Sequence, residues 1–448
     1  MAKNSVTQVS NTIRSSHIHR RWQREFLQRM HQEPLSNWRC IGVDIGKYEH
    51  VVVAFDGHGA LMGEPIRFGT QRCHYQDIFR KIDDWCASVK ALPVIGMEPT
   101  GHYYEQFAYE TANRYGQEQL FLIQSYDVSQ RRKTWNKGTF KNDAVDASII
   151  AQLLQEGHGR PYRPPKGVYQ ILYHLERYRW AREQAATRLK NQIIGHVDRL
   201  YPGLVIRNRE LASRYKPMFR DLWKQKTPQR FIELFPDPYQ LQKQTFMSLY
   251  ESFRNAGYWM TRPYAKRIIT ATRSLCLPDP GLVEVRTGML LRDLESLSFA
   301  EKQVTETEAE MARYLDQTWG KWLRPTGVRE PLLASLVATI GDMKNYHYSR
   351  QIFGRSGLHS GCNDSGVKQR RGQGRRIVAP GDRHLRRQLL RFSYSMTPRY
   401  PVLLHYRAKL YSRGLSNVQA HVAISRRLTG VVYSVVTKQE PFDPGRFQ

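Results

Sequence analysis

Apolar and polar positions alternate in two ways along this chain, and the change between them sets its organisation. From residue 39 the period is two: residues 39–45 and 50–55 read as strands, Asp56-Gly57-His58-Gly59 as the turn between strands, and residues 60–68 as a third, giving an antiparallel meander. Residues 76–89 change to helical spacing with Ile78, Phe79, Ile82 and Trp85 on one face. A buried strand at 92–97, a helix at 102–115 and a strand at 119–124 follow. A meander continued by alternating strands and helices predicts a mixed sheet with helices packed on it, the order found in the ribonuclease-H-like fold.

Beyond Pro161 and Pro164-Pro165 the pattern is long and helical. Leu172, Leu175, Tyr178, Arg182, Ala186, Leu189, Ile193, Val197 and Leu200 approximate a heptad seam, stopped by Tyr201-Pro202-Gly203. Leu294, Leu297, Val304, Met311 and Leu315 mark a second seam within residues 290–315. These predict a coiled-coil pair, formed within the chain or between protomers. The stretch 205–285 is aromatic, basic and punctuated by proline, and its pattern assigns it no role. A further apolar helix is expected at 331–340. Upstream, residues 17–32 predict a helix with Ile18, Trp22, Phe26 and Met30 on one face and Arg20, Arg21, Arg24 and Arg29 on the others. The divisions are 1–38, a basic helical extension; 39–160, the α/β domain; 161–322, a helical segment with an insertion; and 323–448, a mostly helical C-terminal domain.

Charge narrows the partner. Sixty-nine Lys and Arg against forty Asp and Glu give a formal net charge of +29 over 448 residues, and a pI near 10. Such an excess favours phosphate backbones over acidic or neutral small molecules. Five cysteines, odd in number and without CxxC spacing, support neither a disulfide framework nor a zinc site and fit a reducing cytoplasm. No apolar run reaches about 18 residues, so no membrane span is expected.

Against this basic background, four acids stand where elements begin or end. Asp44 closes the first strand run, Glu98 the run 92–97, and Asp143 and Asp146 open a helical pattern, three apart on one face. Singly, each reads as a turn residue or as a helix N-terminal acid favoured by the macrodipole. Together, flanked by Arg131-Arg132-Lys133 and by residues 137–141 ending in Lys141, they predict a magnesium site of hard oxygen ligands beside a nucleic-acid strand. Farther on, a Gly-rich basic stretch carries Ser365 with Lys368, Arg370, Arg371, Arg375 and Arg376, and is resumed by Arg383, Arg386 and Arg387. Dense arginine on a flexible backbone suits close phosphate contact. Ser365 there reads as a turn former, or as a nucleophile of which only the positive cradle is legible.

These motifs resemble those of DEDD-type insertion-sequence transposases, the family of RuvC-like serine recombinases that includes bridge-RNA-guided members. The N-terminal resemblance rests on Gly42-Val43-Asp44-Ile45-Gly46-Lys47, Met97-Glu98-Pro99-Thr100-Gly101-His102-Tyr103 and Lys141-Asn142-Asp143-Ala144-Val145-Asp146-Ala147. The C-terminal resemblance rests on Ser356-Gly357-Leu358, Ser365-Gly366, Gly381-Asp382, Leu385-Arg386, Arg413-Gly414 and Ala420-His421-Val422-Ala423 leading into Arg426-Arg427-Leu428. It covers about residues 40–440. It implies a RuvC-like, ribonuclease-H-like catalytic domain with Asp44, Glu98, Asp143 and Asp146 as metal ligands. Ser365 would be the nucleophile, with Ser360 and Ser356 as neighbouring alternatives.

The resemblance further implies DNA as substrate, a structured guide RNA, a homo-oligomer (dimer or tetramer) and a prokaryotic, nucleoid-associated setting. The helical N-terminal extension and the segment 205–285 are additional to a compact family member, and Gly381-Asp382 stands where Gly-Asn is more usual. Two other readings compete with recombination: a RuvC-like nuclease that cuts branched DNA by hydrolysis, and a nucleic-acid-binding protein with a decayed site.

Overall fold

In a computed structural model, which describes residues 37–87, 92–135, 142–206, 208–215, 217–358 and 381–445, the period-two runs form a single mixed sheet. Strands β1 (Trp38–Ile45), β2 (Glu49–Asp56) and β3 (Ile66–Gly69) make the meander. Helix α1 (Arg72–Ala87) leads to β4 (Leu92–Met97), α2 (Tyr104–Tyr115) to β5 (Leu120–Leu122), and α3 (Ser125–Trp135) and α4 (Asp143–Gln155) precede β6 (Arg160–Pro161). The order is β3-β2-β1-β4-β5-β6, with β1, β4 and β5 parallel and the other pairings antiparallel. The third strand is shorter than the sequence pattern suggests. Asp56 Oδ1 accepts from the backbone N–H groups of His58 and Ala60, and Gly59 and Gly63 take positive φ, so residues 57–65 form a turn joined to β2 through Asp56 N–H to Ala60 O and Met62 N–H to Ala54 O, each 2.9 Å.

β1 is buried on both faces, and its alternation sorts the layers. Ile41, Val43 and Ile45 pack with Val52, Ala54, Ile95 and Met97 under Tyr75, Ile78, Phe79 and Ile82 of α1 and Phe107 of α2. The opposite face takes α4, whose Ala147 and Ala151 meet Val51, Val53 and Phe55, while Ile150 and Leu154 meet Val94, Phe121 and Ile123.

Pro164 closes this unit and Pro165 opens a second, helical one. It begins with α5 (Val168–Leu200), continues through α6 (Arg209–Tyr215), α7 (Lys226–Leu234), α8 (Pro238–Gln242), α9 (Phe246–Asn255) and α10 (Arg262–Arg273), and returns along α11 (Pro280–Arg313). Then come α12 (Glu330–Ile340), α13 (Ser349–Ser356), α14 (Arg383–Met396), α15 (Pro401–Ser412) and α16 (Asn417–Lys438). The two long helices pair with each other in antiparallel fashion: Arg179 meets Glu308 at 3.3 Å, Lys190 meets Glu301 at 2.6 Å and His196 meets Asp293 at 3.3 Å. The seams therefore find their partner inside the chain, which removes the packing reason for pairing them between protomers. One end of the pair lies in a core built with α12, α14 and α16; the other carries a second core made with residues 204–269.

The seam itself differs from a run of apolar positions. Between Leu172 and Ala186 the buried residues of α5 are Glu176 and Arg179, not Tyr178, which is 42% exposed. Arg179 grips both oxygens of Glu176 at 2.8 and 2.9 Å, and Ser335 Oγ and Gln388 Nε2 donate to the same carboxylate at 2.8 and 2.7 Å. A buried ion pair is tolerated only when its remaining hydrogen-bonding capacity is met. That requirement ties α5 to α12 and α14 at one point, something heptad spacing does not encode. Among the described residues, no helix is long and apolar enough to cross a membrane. The helix expected at 17–32, and Lys141, Ser360, Ser365, Lys368, Arg370, Arg371, Arg375 and Arg376, lie outside the described residues.

Candidate active site and nucleic-acid interface

The register of two parallel strands sets the first pair of acids. Gly42 stands opposite Gly96 and Val43 opposite Met97, so Asp44 and Glu98 follow at neighbouring strand ends. Both glycines lie under α4. A Cβ on Gly42 would fall 2.0 Å from Ala147 O and 2.5 Å from Ala151 N, so only glycine lets the helix backbone come this close. On Gly96 it would meet Leu154 Cδ2 at 3.2 Å and Ile150 Cγ2 at 3.3 Å. Two residues along the strand return to the same face, so Asp44 and Glu98 share the face that carries α4. Both are half-buried.

α4 runs against the direction of β1 and brings its N-terminus to that end. At its far end Gln155 Nε2 donates to Gly57 O at 2.9 Å, just past the β2 residue paired with Arg39. At its near end Asp143 reaches Arg67 at 3.5 Å, and Arg67 pairs with Val51, which pairs with Asp44. Asn142 starts the helix by accepting from Ala144 N–H at 3.0 Å. The fold thus delivers all four acids to one end of one face of the sheet.

The two helix acids are then held differently. Asp146 is 2% exposed and is gripped by Arg132 of α3, Nε to Oδ1 at 2.5 Å and Nη2 to Oδ2 at 2.6 Å. Asp143 points outward, its side chain 54% exposed, and shares Arg67 with Glu49, which lies at 2.7 Å. Among the described residues, no group of three or more His, Cys, Asp or Glu side chains stands close enough to hold a metal ion. The donor set is nevertheless all carboxylate oxygen, the chemistry that magnesium selects. Arg132 and Arg67 are the groups a cation would have to replace. The sequence showed Arg132 only as part of a basic stretch, and Arg67 not at all; the one available signal was a basic residue inside the apolar run Ile66-Arg67-Phe68.

In the helical unit, the stretch holding Ser365 is bounded by a clasp. α13 ends at Gly357, φ +68°, and a Cβ on Gly381 would lie 2.7 Å from Gly357 Cα. Asp382 N–H donates to Arg355 O at 2.8 Å, while Arg355 Nη2 donates to Asp382 Oδ2 at 2.9 Å. Asp382 Oδ1 caps α14 through His384 and Leu385 N–H. Burial acts to raise the Asp382 pKa, but the Arg355 charge and the Leu385 N–H outweigh it and hold the carboxyl below its ordinary range. Ser356 is fully buried, with its hydroxyl donating to Phe353 O at 2.6 Å and accepting from Leu358 N–H at 3.3 Å. Its oxygen is committed to ending α13, which weighs against Ser356 among the three serines that the resemblance offers.

Of the four arginines of α14, the three expected to touch phosphate are not equivalent. Arg383 is exposed and stacks over Trp180, 5.1 Å from the ring centre. Arg386 Nε donates to Ser356 O at 2.9 Å, and Arg387 Nη2 to Glu183 Oε1 at 2.7 Å. Two of the three expected phosphate contacts thus already have partners inside the fold.

A family model of transposases, DEDD_Tnp_IS110, matches residues 41–202, a span containing all four acids. A second, for the transposase IS116/IS110/IS902 family, matches residues 324–407, a span containing the three serines and the α14 arginines. No curated protein matches the chain. A family that moves DNA segments accounts for the basic excess, and the two matched spans put this chain in the IS110-type DEDD transposase family, a family of DNA-processing enzymes.

Proposed function

We propose that this protein is a DNA recombinase that inserts and excises its own mobile element, using a ribonuclease-H-like domain and a serine nucleophile. The observation that supports the reading is the placement of Asp44, Glu98, Asp143 and Asp146 toward one end of the sheet by strand register and by the lie of α4. In this reading Asp44, Glu98, Asp143 and Asp146 would hold magnesium, whose chemistry when bound would be charge compensation at the scissile phosphate. For Asp146 to serve as a ligand, Arg132 would have to release it. Ser365 Oγ attacks the phosphorus and loses its proton; the P–O bond to the leaving strand breaks, and that strand departs as a hydroxyl. The phosphodiester joining serine to DNA keeps the bond energy for rejoining.

Residues 359–380 carry this serine and its cationic partners Lys368, Arg370, Arg371, Arg375 and Arg376. Lys141 and Arg383 would add backbone contacts. The two long helices, paired within the chain, would form a coiled-coil arm; the protein would work as a dimer or tetramer, and a structured guide RNA would supply sequence choice, because arginine-rich segments read backbone rather than base sequence. The functional divisions in this reading are 1–38, 39–160, 161–322 and 323–448. The test is to strip the protein of RNA and assay recombination at a defined target with and without the RNA that copurifies. Specific recombination by RNA-free protein would contradict guidance while leaving the serine chemistry to be judged separately.

A further inference from the structure

The span 203–323 lies outside both family matches, and within it the turn from α9 to α10 presents an aromatic and cationic surface. Trp259 is 84% exposed, the most exposed large apolar side chain of the described residues. It is not loosely placed. Phe253 before it and Met260 after it are buried in the core of this segment, Tyr258 N–H donates to Phe253 O at 2.8 Å, and Gly257 makes the turn with φ +76°. Thr261 then caps α10 by accepting from Tyr264 N–H at 3.3 Å. An indole held out into water on an anchored turn gains nothing for the fold, since its apolar area stays exposed.

Its neighbours in sequence are cations on aromatic rings. The Tyr250 ring has Arg254 at 5.7 Å and Arg262 at 5.6 Å; Tyr258 has Arg230 at 4.5 Å; Tyr264 has Arg267 at 4.8 Å. From 246 to 267 the basic residues are Arg254, Arg262, Lys266 and Arg267, against the single acid Glu251. Rings that stack on bases, interleaved with guanidinium groups that take phosphates and stack in turn, form the combination that binds unpaired nucleic acid without reading its sequence. A duplex hides its base faces inside the helix and would leave the indole without a partner.

We infer that the α9–α10 turn, through Trp259 with Arg254 and Arg262, is a stacking platform for an unpaired nucleic-acid strand, either a displaced DNA strand or an RNA loop. The test uses the full chain and fluorescein-labelled oligothymidylate, oligouridylate and a DNA duplex of matched length. Trp259→Ala, at a position too exposed to threaten folding, should weaken single-strand binding about 10-fold, the loss of one base stack. Duplex binding should stay unchanged, and Trp259→Phe should recover most of the affinity. Arg262→Gln should lower the salt slope by about one. The oligonucleotide more affected by Trp259→Ala identifies DNA or RNA as the source. Unchanged single-strand binding in Trp259→Ala, or an equal loss for duplex and single strand, would overturn the platform. So would photocrosslinking with thio-substituted oligonucleotides that yields no adduct on residues 258–262.

Discussion

Arg132 places two nitrogens on the two oxygens of Asp146, at 2.5 and 2.6 Å, and both side chains are largely withdrawn from water. A carboxylate so held cannot also serve a cation without releasing its arginine. Removing Arg132 leaves a buried acid uncompensated, which costs roughly 3 kcal/mol. Arg132→Gln should therefore lower the melting temperature in chelator and show a larger upward shift with added magnesium than the unmodified protein does. Equal magnesium shifts in both proteins would mean that the pair and the cation do not compete for Asp146.

Asp143 and Asp146 separate by the same logic. Asp143→Asn changes an exposed group and should leave stability within about 0.5 kcal/mol, whereas Asp146→Asn breaks the Arg132 pair and should destabilise as well as abolish cleavage. Urea unfolding of the two variants, beside DNA binding and cleavage, checks this. Equal stability loss in both would contradict the placement of Asp146.

Close approach of α4 to β1 depends on Gly42. Gly42→Ala puts a methyl 2.0 Å from a backbone oxygen of α4, whereas on Gly96 the nearest atoms are side-chain methyls at 3.2 and 3.3 Å. Overpacking of this kind costs about 1–3 kcal/mol. The expected order in denaturant midpoint is unmodified protein, then Gly96→Ala, then Gly42→Ala. Equal midpoints for the two variants would contradict the backbone contact.

On α14, Arg383→Gln should lower the salt slope of DNA binding by about one and leave stability alone. Arg387→Gln should do the reverse, because its guanidinium is engaged with Glu183. Salt-dependent binding together with thermal melts separates the two, and a lowered slope for Arg387→Gln would place that residue on the nucleic acid.

The Arg355–Asp382 clasp gives a pH signature. A carboxyl whose folded pKa is held below its unfolded value stabilises the fold above the unfolded pKa, near pH 4, and that contribution is lost as pH falls through the folded pKa. Asp382→Asn keeps a helix-capping side chain but loses the charge. The variant should be less stable than the unmodified protein at pH 7, with the difference shrinking below about pH 4. A difference that does not change with pH would assign the loss to capping alone.

Much of this was legible in the chain. Period-two runs gave the strands, Asp44 and Glu98 closed two of them that lie parallel and adjacent, and Asn142 before an apolar helical pattern gave the start of α4. What was hidden depends on partners distant in sequence. Gly42 reads as one more small residue until Ala147 lies on it. Arg132 looks like a phosphate contact until α3 packs beside α4 and turns it onto Asp146. In α5, burial passes to Glu176 and Arg179 because Ser335 and Gln388, far along the chain, complete their hydrogen bonding. Arg383, Arg386 and Arg387 read as one basic run, although the fold already binds the last two through Ser356 and Glu183.

Whether serine carries the DNA is decided by incubating the protein with end-labelled element DNA and magnesium and resolving the products under denaturing conditions. Transposition through Ser365 predicts a protein–DNA adduct that disappears in Ser365→Ala and in each of Asp44→Asn, Glu98→Gln, Asp143→Asn and Asp146→Asn, while DNA binding by the folded variants persists. Cleavage that continues in Ser365→Ala with free DNA ends and no adduct would contradict it.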